Sequence, residues 1–299
     1  MATSRMNMDS LTLSDIKSLL STATALNDDP DRVYKWVYMP DLVAFGRHVL
    51  EAELDGIPLI IKYRDRVLPV EAETMQYVSR HTNIRVPHVY AVFSERGMCY
   101  IVEERLPGST LQDALPGLDA DARATIGREL KEIITSLSQL SSHRTILGPL
   151  HGPWKDVYFY RFLHDYPIGS DDLRTTRSFL EYFINIKGYY PYYPASDGPT
   201  VEERLRPFDC SRPPVFTHGD LVPCNVMIDN GHVVGIVDWA EAGWYPYFWN
   251  HYMLEKQGYA RWKGVELWQK MISESALCEP CPNQVRTFKT MYSWASYLY

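Results

Sequence analysis

Long hydrophobic runs are missing from this sequence. The first thirty residues contain no continuous apolar stretch of the length that a signal peptide needs. No later segment approaches the roughly 20 apolar residues of a membrane-spanning helix. We therefore expect a cytoplasmic protein without a membrane partner.

Cysteine and net basic charge are also scarce. Five cysteines are spread over 299 residues, and an odd, scattered set is not typical of a disulfide framework. Thirty Lys and Arg residues against 37 Asp and Glu residues give a formal net charge of −7. This balance argues against a general nucleic-acid binder, because such proteins carry a basic surface. The 45 % of hydrophobic residues is ordinary for a globular protein with a substantial core.

The first third of the chain has the pattern of a small antiparallel sheet with helices beside it. Thr12 and Asp15 fit a capping box, which marks the start of a helix. Asp55-Gly56 lies between two apolar runs and indicates a hairpin turn. The expected segments are a leading helix over 13–25, strands within 32–104 of which the first covers 32–38, and a helix over 71–80.

Helical patterns dominate the remainder of the chain. Apolar side chains recur at helical spacing, most clearly over 121–142. A strand-rich part followed by a helix-rich part predicts the α+β class. We expect an N-terminal lobe over 1–105 and a helical C-terminal lobe over 106–299, with the linker between them at 103–108.

A second hairpin, expected within residues 216–239, brings two oxygen-bearing side chains together. Its turn is Asn230-Gly231, again between two apolar runs. Pairing around this turn predicts that Asn225 and Asp238 lie on one face, at the open end of the hairpin. One amide and one carboxylate are too few for a closed calcium cage, but they suit Mg²⁺, which keeps waters and takes phosphate oxygens.

Asp220 precedes this hairpin in the loop that leads into it. A carboxylate at that place can accept or orient a proton from an attacking hydroxyl, an effect worth roughly 10²–10⁴ in rate. In phosphoryl transfer the remaining acceleration comes from charge neutralisation and alignment. We expect Asp220 to be catalytic, and the nearby His218 to be buried and to hold the loop.

The pattern His218-Gly-Asp220-x4-Asn225, followed by Asp238-Trp, resembles the aminoglycoside phosphotransferase family. Within that family, it is most similar to a group of members in filamentous fungi. With the choline kinases, this family is similar to protein kinases in fold. The resemblance covers about residues 32–255. It implies a bilobal protein-kinase-like fold with ATP between the lobes, and ATP- and Mg²⁺-dependent transfer of phosphate to a small-molecule hydroxyl. Asp220 then matches the catalytic aspartate, and Asn225 and Asp238 match the magnesium ligands.

The resemblance also implies a nucleotide site in the N-terminal lobe. Lys62, which ends an apolar run, matches the lysine that contacts the α- and β-phosphates. Its acidic partner on the following helix is expected to be Glu73 from the family's spacing, with Glu71 as the alternative. Backbone groups of Glu103 and Arg105 in the linker would meet the adenine edge.

The sequence departs from the kinase pattern at the phosphate-binding loop. No GxGxxG occurs between the first two expected strands, where residues 39–47 contain the single glycine Gly46. The family often lacks the full glycine pattern. The sequence therefore leaves open which backbone amides hold the phosphates.

The region after Asp238 bears on the choice of acceptor. In the family it binds beyond Asp238, where this chain carries Glu241 and Trp244. An aromatic face with a carboxylate favours an organic cation, although these side chains can equally serve to pack the lobe. A highly cationic aminoglycoside needs many acidic residues, and the sequence has no dense acidic cluster. We therefore expect a smaller hydroxylated amine or a secondary metabolite.

Two other function classes remain open from the sequence. A kinase fold can carry repurposed chemistry, in which phosphorylation drives an elimination or cyclisation, or ATP is not used at all. A non-catalytic binding module is the second alternative. The presence of Lys62, Asp220, Asn225 and Asp238 argues against that module.

Overall fold

The computed structural model describes residues 11–20, 22–25, 48–64, 69–95, 98–140, 147–151, 174–185, 200–256 and 262–296. The chain separates into two compact units. The first comprises Met1–Gly108 with Val234–Ala240, and the second comprises Ser109–Val233 with Glu241–Tyr299. The strand expected at 32–38 and the candidate phosphate loop at 39–47 lie outside the described residues.

The first unit contains a five-stranded antiparallel sheet. Its elements are α1 (Leu13–Leu20), β1 (Thr24–Ala25), β2 (His48–Leu54), β3 (Ile57–Arg64), α2 (Pro69–His81), β4 (Val89–Glu95) and β5 (Met98–Glu104). The strand order is β1-β2-β3-β5-β4. Asp55 and Gly56 connect β2 to β3 with φ angles of 51° and 78°, as a tight hairpin turn requires. The hairpin prediction is therefore confirmed.

The leading helix is shorter than its pattern suggests. The capping box is present, since the Thr12 N–H donates to Asp15 Oδ2 at 2.8 Å. The helix stops at Leu20, and Thr22 donates to the Leu19 carbonyl oxygen from both its N–H and its hydroxyl. The expectation of a helix to residue 25 is wrong because Thr24–Ala25 pairs with β2 instead, and this long-range pairing overrides the local helical propensity.

The two faces of the sheet have different chemistry. Leu59, Ile61 and Val102 are fully buried and share an apolar cluster with Leu11 and with Leu19 of α1. Side chains alternate between faces along a strand and match faces across a ladder. The β3–β5 register therefore places Lys62 and Glu103 together on the opposite face. This alternation is what gives the sheet a charged side as well as an apolar one.

The second unit is mainly helical, with two small sheets. The elements that follow in chain order are β6 (Ser109–Thr110), α3 (Leu111–Ala114), α4 (Ala120–Ser138), β7 (Gly148–Pro149), α5 (Thr176–Asn185), α6 (Val201–Leu205), β8 (Val215–Thr217), β9 (Val226–Asp229), β10 (His232–Ile236), β11 (Gly243–Tyr245), α7 (Trp249–Lys256), α8 (Val265–Ser275) and α9 (Pro282–Ser296). Of β10, the residues from Val234 onward belong to the first unit. The sheet orders are β10-β9-β6 and β7-β11-β8. No helix in the described part of the chain is long and apolar enough to cross a membrane.

Many aromatic side chains in the described part of the second unit lie in one core cluster. Phe288 of α9 stacks at 6.0 Å on Phe179 and meets Phe183 edge-on at 5.2 Å, both of α5. Phe248 and Trp249 complete the contact from the start of α7. Aromatic pairs in such edge and stacked geometries add to the stabilisation from burial. The aromatic side chains of this cluster therefore build the interior of the described part of this unit.

Candidate active site

Lys62 is the centre of a buried charge cluster in the first unit. Its Nζ lies 2.7 Å from Glu71 Oε1 and 3.0 Å from Glu103 Oε1. The side chains of Lys62 and Glu71 are only 13 % and 5 % exposed. Hydrogen bonds between charged groups are about twice as strong as neutral ones. The ammonium is therefore held in a defined position by two carboxylates.

The carboxylates control the ionisation of this cluster. Burial alone would lower the pKa of Lys62, but Glu103, Glu71 and Asp238 together raise it above its ordinary value. Lys62 is consequently cationic at any physiological pH. For Glu103 the effect of burial dominates and raises its pKa to about 7, against the opposing attraction of Lys62. A buried carboxylate is disfavoured when its solvation is not fully replaced.

Glu71, and not Glu73, is the partner of Lys62. Glu71 lies in the first turn of α2 and is buried, whereas Glu73 is exposed. The expectation for Glu73 is therefore wrong, and the alternative residue takes its place. The helical period explains why: Glu71 precedes the buried Met75 by four residues and Val78 by seven, so the three share one face. This spacing is readable in the sequence.

The difference between the two glutamates predicts unequal effects on stability. Glu71→Ala removes a buried side chain and its charged hydrogen bond to Lys62. We expect a loss of about 1–3 kcal/mol in the free energy of unfolding. Glu73→Ala serves as the matched control on the exposed side of the same helix, with an expected change within about 0.5 kcal/mol. Urea titrations of both variants measure this, and equal losses would contradict the assigned pairing.

Glu103 contributes a side chain to the site, although the sequence suggested only a backbone role. It belongs to β5, is 2 % exposed, and reaches Lys62 across the ladder from β3. No signal in the sequence could have found this contact, because it depends on the register between β3 and β5. Arg105 is different: its N–H donates to the Pro58 carbonyl oxygen at 3.3 Å, and its guanidinium pairs with Glu51.

Asp238 follows β10 in an unusual backbone conformation. The segment that carries it belongs to the first unit, within which the Ile236 N–H donates to the Arg85 carbonyl oxygen at 3.0 Å. The Trp239 indole N–H donates back to the Ile236 carbonyl oxygen at 2.9 Å. Asp238 itself has φ 62°, in the left-handed region that costs about 1–3 kcal/mol outside glycine and tends to occur at functional sites.

This conformation corrects the face assignment made from the hairpin. β10 ends at Ile236, so the strand alternation does not extend to Asp238. Asn225 is also outside its expected strand, since it ends a 3-10 turn over Pro223–Asn225, one residue before β9. Pro223 starts this turn, because its fixed φ suits the first position of a helical turn. The Asn230-Gly231 turn is confirmed, with both φ angles positive.

The loop around Asp220 is tied at both ends within the second unit. Thr217 Oγ1 accepts a hydrogen bond from the Gly219 N–H at 3.0 Å. On the other side, Asn225 Nδ2 donates to the Asp220 carbonyl oxygen at 2.8 Å. His218 is 1 % exposed, which confirms that it is buried; that it holds the loop stays a prediction. These contacts fix the backbone on both sides of the candidate catalytic carboxylate.

Asn225 in the second unit and Asp238 in the first unit each offer an oxygen atom of the kind that Mg²⁺ binds. Because Asn225 uses its Nδ2 on Asp220, its Oδ1 is the atom left for a cation, with one weak contact from the Cys224 thiol at 3.7 Å. Asp238 offers a carboxylate. Within the described ranges, no group of three or more His, Cys, Asp or Glu side chains could hold a metal. Mg²⁺ typically takes one or two protein oxygens and completes its shell with phosphate and water.

The two candidate acceptor residues occupy different environments. Trp244 lies in β11 and is 3 % exposed, with its ring packed edge-on against Phe216 at 4.8 Å. It is a core residue, so the expected contact with an acceptor is wrong for Trp244. Glu241 is partly exposed, and its carbonyl oxygen accepts a hydrogen bond from the Tyr245 hydroxyl at 2.7 Å.

Comparisons with known proteins agree with this architecture. Among solved structures, aminoglycoside phosphotransferase APH(4)-Ia has a TM-score of 0.58 and 14 % identity, over 94 % of this chain and 89 % of that one. The enzyme APH(3'')-Id from Streptomyces rimosus, in complex with ADP and streptomycin, has a TM-score of 0.56 and 15 % identity, over 94 % and 97 %. A thermostable APH(4)-Ia mutant with ADP and hygromycin B has a TM-score of 0.56 and 14 % identity, over 82 % and 80 %.

Identities this low show the fold alone. A search of curated proteins returned no match, and the narrower assignment to a fungal group stays a prediction. The decisive comparison is with families: residues 61–254, more than half of the chain, match the family described as "Phosphotransferase enzyme family", APH. The chain therefore belongs to the phosphotransferase enzyme family and has its kinase-like α+β fold.

Proposed function

We propose that the protein is an ATP- and Mg²⁺-dependent kinase that transfers the γ-phosphoryl group to a hydroxyl of a small molecule. The observation that carries this proposal is the buried Lys62–Glu71 ion pair, at 2.7 Å, in the same unit as Asp238. A permanently charged, oriented ammonium is suited to nucleotide phosphates, and catalysis of this transfer relies on positioning and charge stabilisation. Structural relatives crystallised with ADP or AMP-PNP support the choice of nucleotide.

Different residues of the site are proposed to bind the phosphates, the metal ion and the adenine. Lys62 contacts the phosphates, and Glu71 orients it. Asn225 and Asp238 are the proposed ligands of Mg²⁺, which supplies charge neutralisation at the phosphate oxygens when bound. Backbone groups of the linker near Glu103 and Arg105 are proposed to meet the adenine. Because the Arg105 N–H is engaged by Pro58, that donor does not take part.

Asp220 is the proposed catalytic residue. Its carboxylate accepts the proton of the acceptor hydroxyl while the hydroxyl oxygen forms a bond to the γ-phosphorus. The bond from that phosphorus to the bridging oxygen breaks, and ADP leaves with the bond electrons. The ties of the loop to Thr217 and Asn225 hold Asp220 in place for this role, since positioning is a large part of such catalysis.

The acceptor is proposed to be a small hydroxylated molecule, with an amine as the favoured class. Structural relatives have been crystallised with hygromycin B and with streptomycin, both at identities too low to transfer a substrate. In this chain Glu241 supplies a partly exposed carboxylate, which would pair with an ammonium group. We propose neither nucleic acid nor a membrane as a partner.

A mass-spectrometric screen tests the proposed reaction. The wild-type protein and its Glu241→Gln variant are incubated separately with Mg²⁺-ATP and a panel of hydroxylated amines. We expect one class of acceptor to gain the mass of a single phosphoryl group, with one ADP formed per product. Consumption of ATP with products that retain no phosphate would instead indicate the repurposed chemistry, and unchanged ATP with every acceptor would contradict a kinase.

A further inference from the structure

Lys62 contacts two carboxylates at once, and a third acts on it from nearby. Glu71 and Glu103 lie 2.7 and 3.0 Å from its Nζ, and the charge of Asp238 also contributes to its ionisation. One cation therefore faces three carboxylates, which gives the cluster a surplus of negative charge when all are ionised. Across the β4–β5 ladder Glu103 faces Val89, which carries no charge. An anion that binds at Lys62 must overcome this surplus.

The two contacting carboxylates are not equivalent. Glu71 makes the shorter contact, whereas Glu103 makes the longer one through Oε1 alone. Glu103 Oε2 is buried and, within the part of the chain that the structure describes, has no hydrogen-bond partner. Leaving a buried polar atom without a partner is costly, and more so for a charged group. Burial accordingly raises the pKa of Glu103. Glu103 is the carboxylate that gives up Lys62 more readily.

The donors of Lys62 are limited in number. An ammonium group has three N–H donors and no acceptor. Two of them are directed to Glu71 and Glu103 in the present arrangement. Contacts with oxygens of both the α- and the β-phosphate need two donors, and only one is left, so one of the two carboxylates must give way. The contact with Glu103 thus occupies a position that a phosphate oxygen can take.

We propose that Glu103 is an internal competitor of nucleotide phosphate for Lys62. A phosphate oxygen displaces the Glu103 carboxylate from the ammonium, while Glu71 keeps its contact. The Glu103 carboxylate thereby lowers the affinity for phosphorylated ligands. It does not change the affinity for the base and ribose, which other groups bind. This inference rests on the proposed function, because it takes the anion at Lys62 to be a nucleotide phosphate.

Calorimetric titrations with ADP and with adenosine, both in Mg²⁺, test this role. The ratio of the two affinities isolates the phosphates, because effects of a substitution on the base cancel. In Glu103→Gln and Glu103→Leu we expect this ratio to rise about tenfold or more, the size of one charged hydrogen bond. Two replacements of different polarity keep the test valid if one of them folds poorly.

Glu104→Gln is the matched control. Glu104 follows Glu103 directly, but its carboxylate pairs with Arg85 and accepts the His88 N–H at 3.1 Å. We expect the ADP-to-adenosine ratio of this variant to equal that of the wild type.

The possible outcomes separate the inference from the proposed function. An unchanged ratio in both Glu103 variants overturns the competition while leaving nucleotide binding established. A lower ratio also overturns it and makes Glu103 a residue that positions Lys62 for phosphate. If none of the four proteins binds ADP, the proposed function fails, and the inference fails with it.

Discussion

Asp220→Asn is expected to slow phosphoryl transfer by about 10²–10⁴-fold, measured with the acceptor that the mass screen identifies. Asparagine keeps the shape of the side chain but cannot take up the proton of the attacking hydroxyl. The loop itself should stay in place, because the Asn225 amide bonds to the backbone of residue 220 and not to its side chain. We therefore expect the affinity for ADP to remain within a few fold of wild type.

Asp229→Asn provides the comparison for this variant. Asp229 ends β9 and is exposed, and its carboxylate accepts a hydrogen bond from the neighbouring Asn230. The same chemical change at that position should leave the rate of transfer unaltered. If Asp220→Asn retains the rate of Asp229→Asn, Asp220 is not the group that receives the proton.

Gly219→Ala should reduce activity by at least about 100-fold, although the substitution adds only a methyl group. Gly219 has φ 80°, and a Cβ built at this position would lie 2.0 Å from the carbonyl oxygen of Glu241. That obstacle is backbone and cannot rotate away as a flexible side chain would. The loop segment that carries Asp220 must therefore move, and this movement strains the hydrogen bond from the Gly219 N–H to Thr217 Oγ1.

Gly56→Ala separates the effect of the steric clash at residue 219 from the effect of a positive φ angle alone. Gly56 has nearly the same φ, 78°, but its added Cβ would meet nothing within 4 Å. This variant should lose only about 1–2 kcal/mol of stability from the left-handed conformation and keep its activity. If Gly219→Ala is as active as Gly56→Ala, the close approach of Gly219 to Glu241 does not position the catalytic loop.

Features encoded by short-range chemistry could be predicted from the sequence. Asp55-Gly56 and Asn230-Gly231 form the two hairpin turns where their composition places them, because Asx-Gly pairs adopt the positive φ angles that such turns need. The capping box of Thr12 and Asp15 is present for the same reason. Glu71 was also within reach, since its spacing to the buried positions of α2 follows the helical period.

Features that depend on long-range pairing could not be predicted in this way. The end of α1 is set by the pairing of Thr24–Ala25 with β2. The Glu103 side chain joins Lys62 through the register of two strands that are distant in sequence. Asp238 departs from strand alternation because its segment is anchored to Arg85 by the preceding Ile236. Each of these is decided by tertiary contacts that no local pattern specifies.

A thermal-shift measurement with Mg²⁺-ATP, on wild type and on Asp238→Asn, tests the central claim most directly. Asparagine tolerates the left-handed conformation of Asp238 but removes the charge proposed to bind the metal. A ligand at 100 times its Kd adds about 2.7 kcal/mol of stability. We predict a metal-dependent rise in the melting temperature of the wild type that is lost in Asp238→Asn. No rise in either protein would contradict an ATP- and Mg²⁺-dependent kinase.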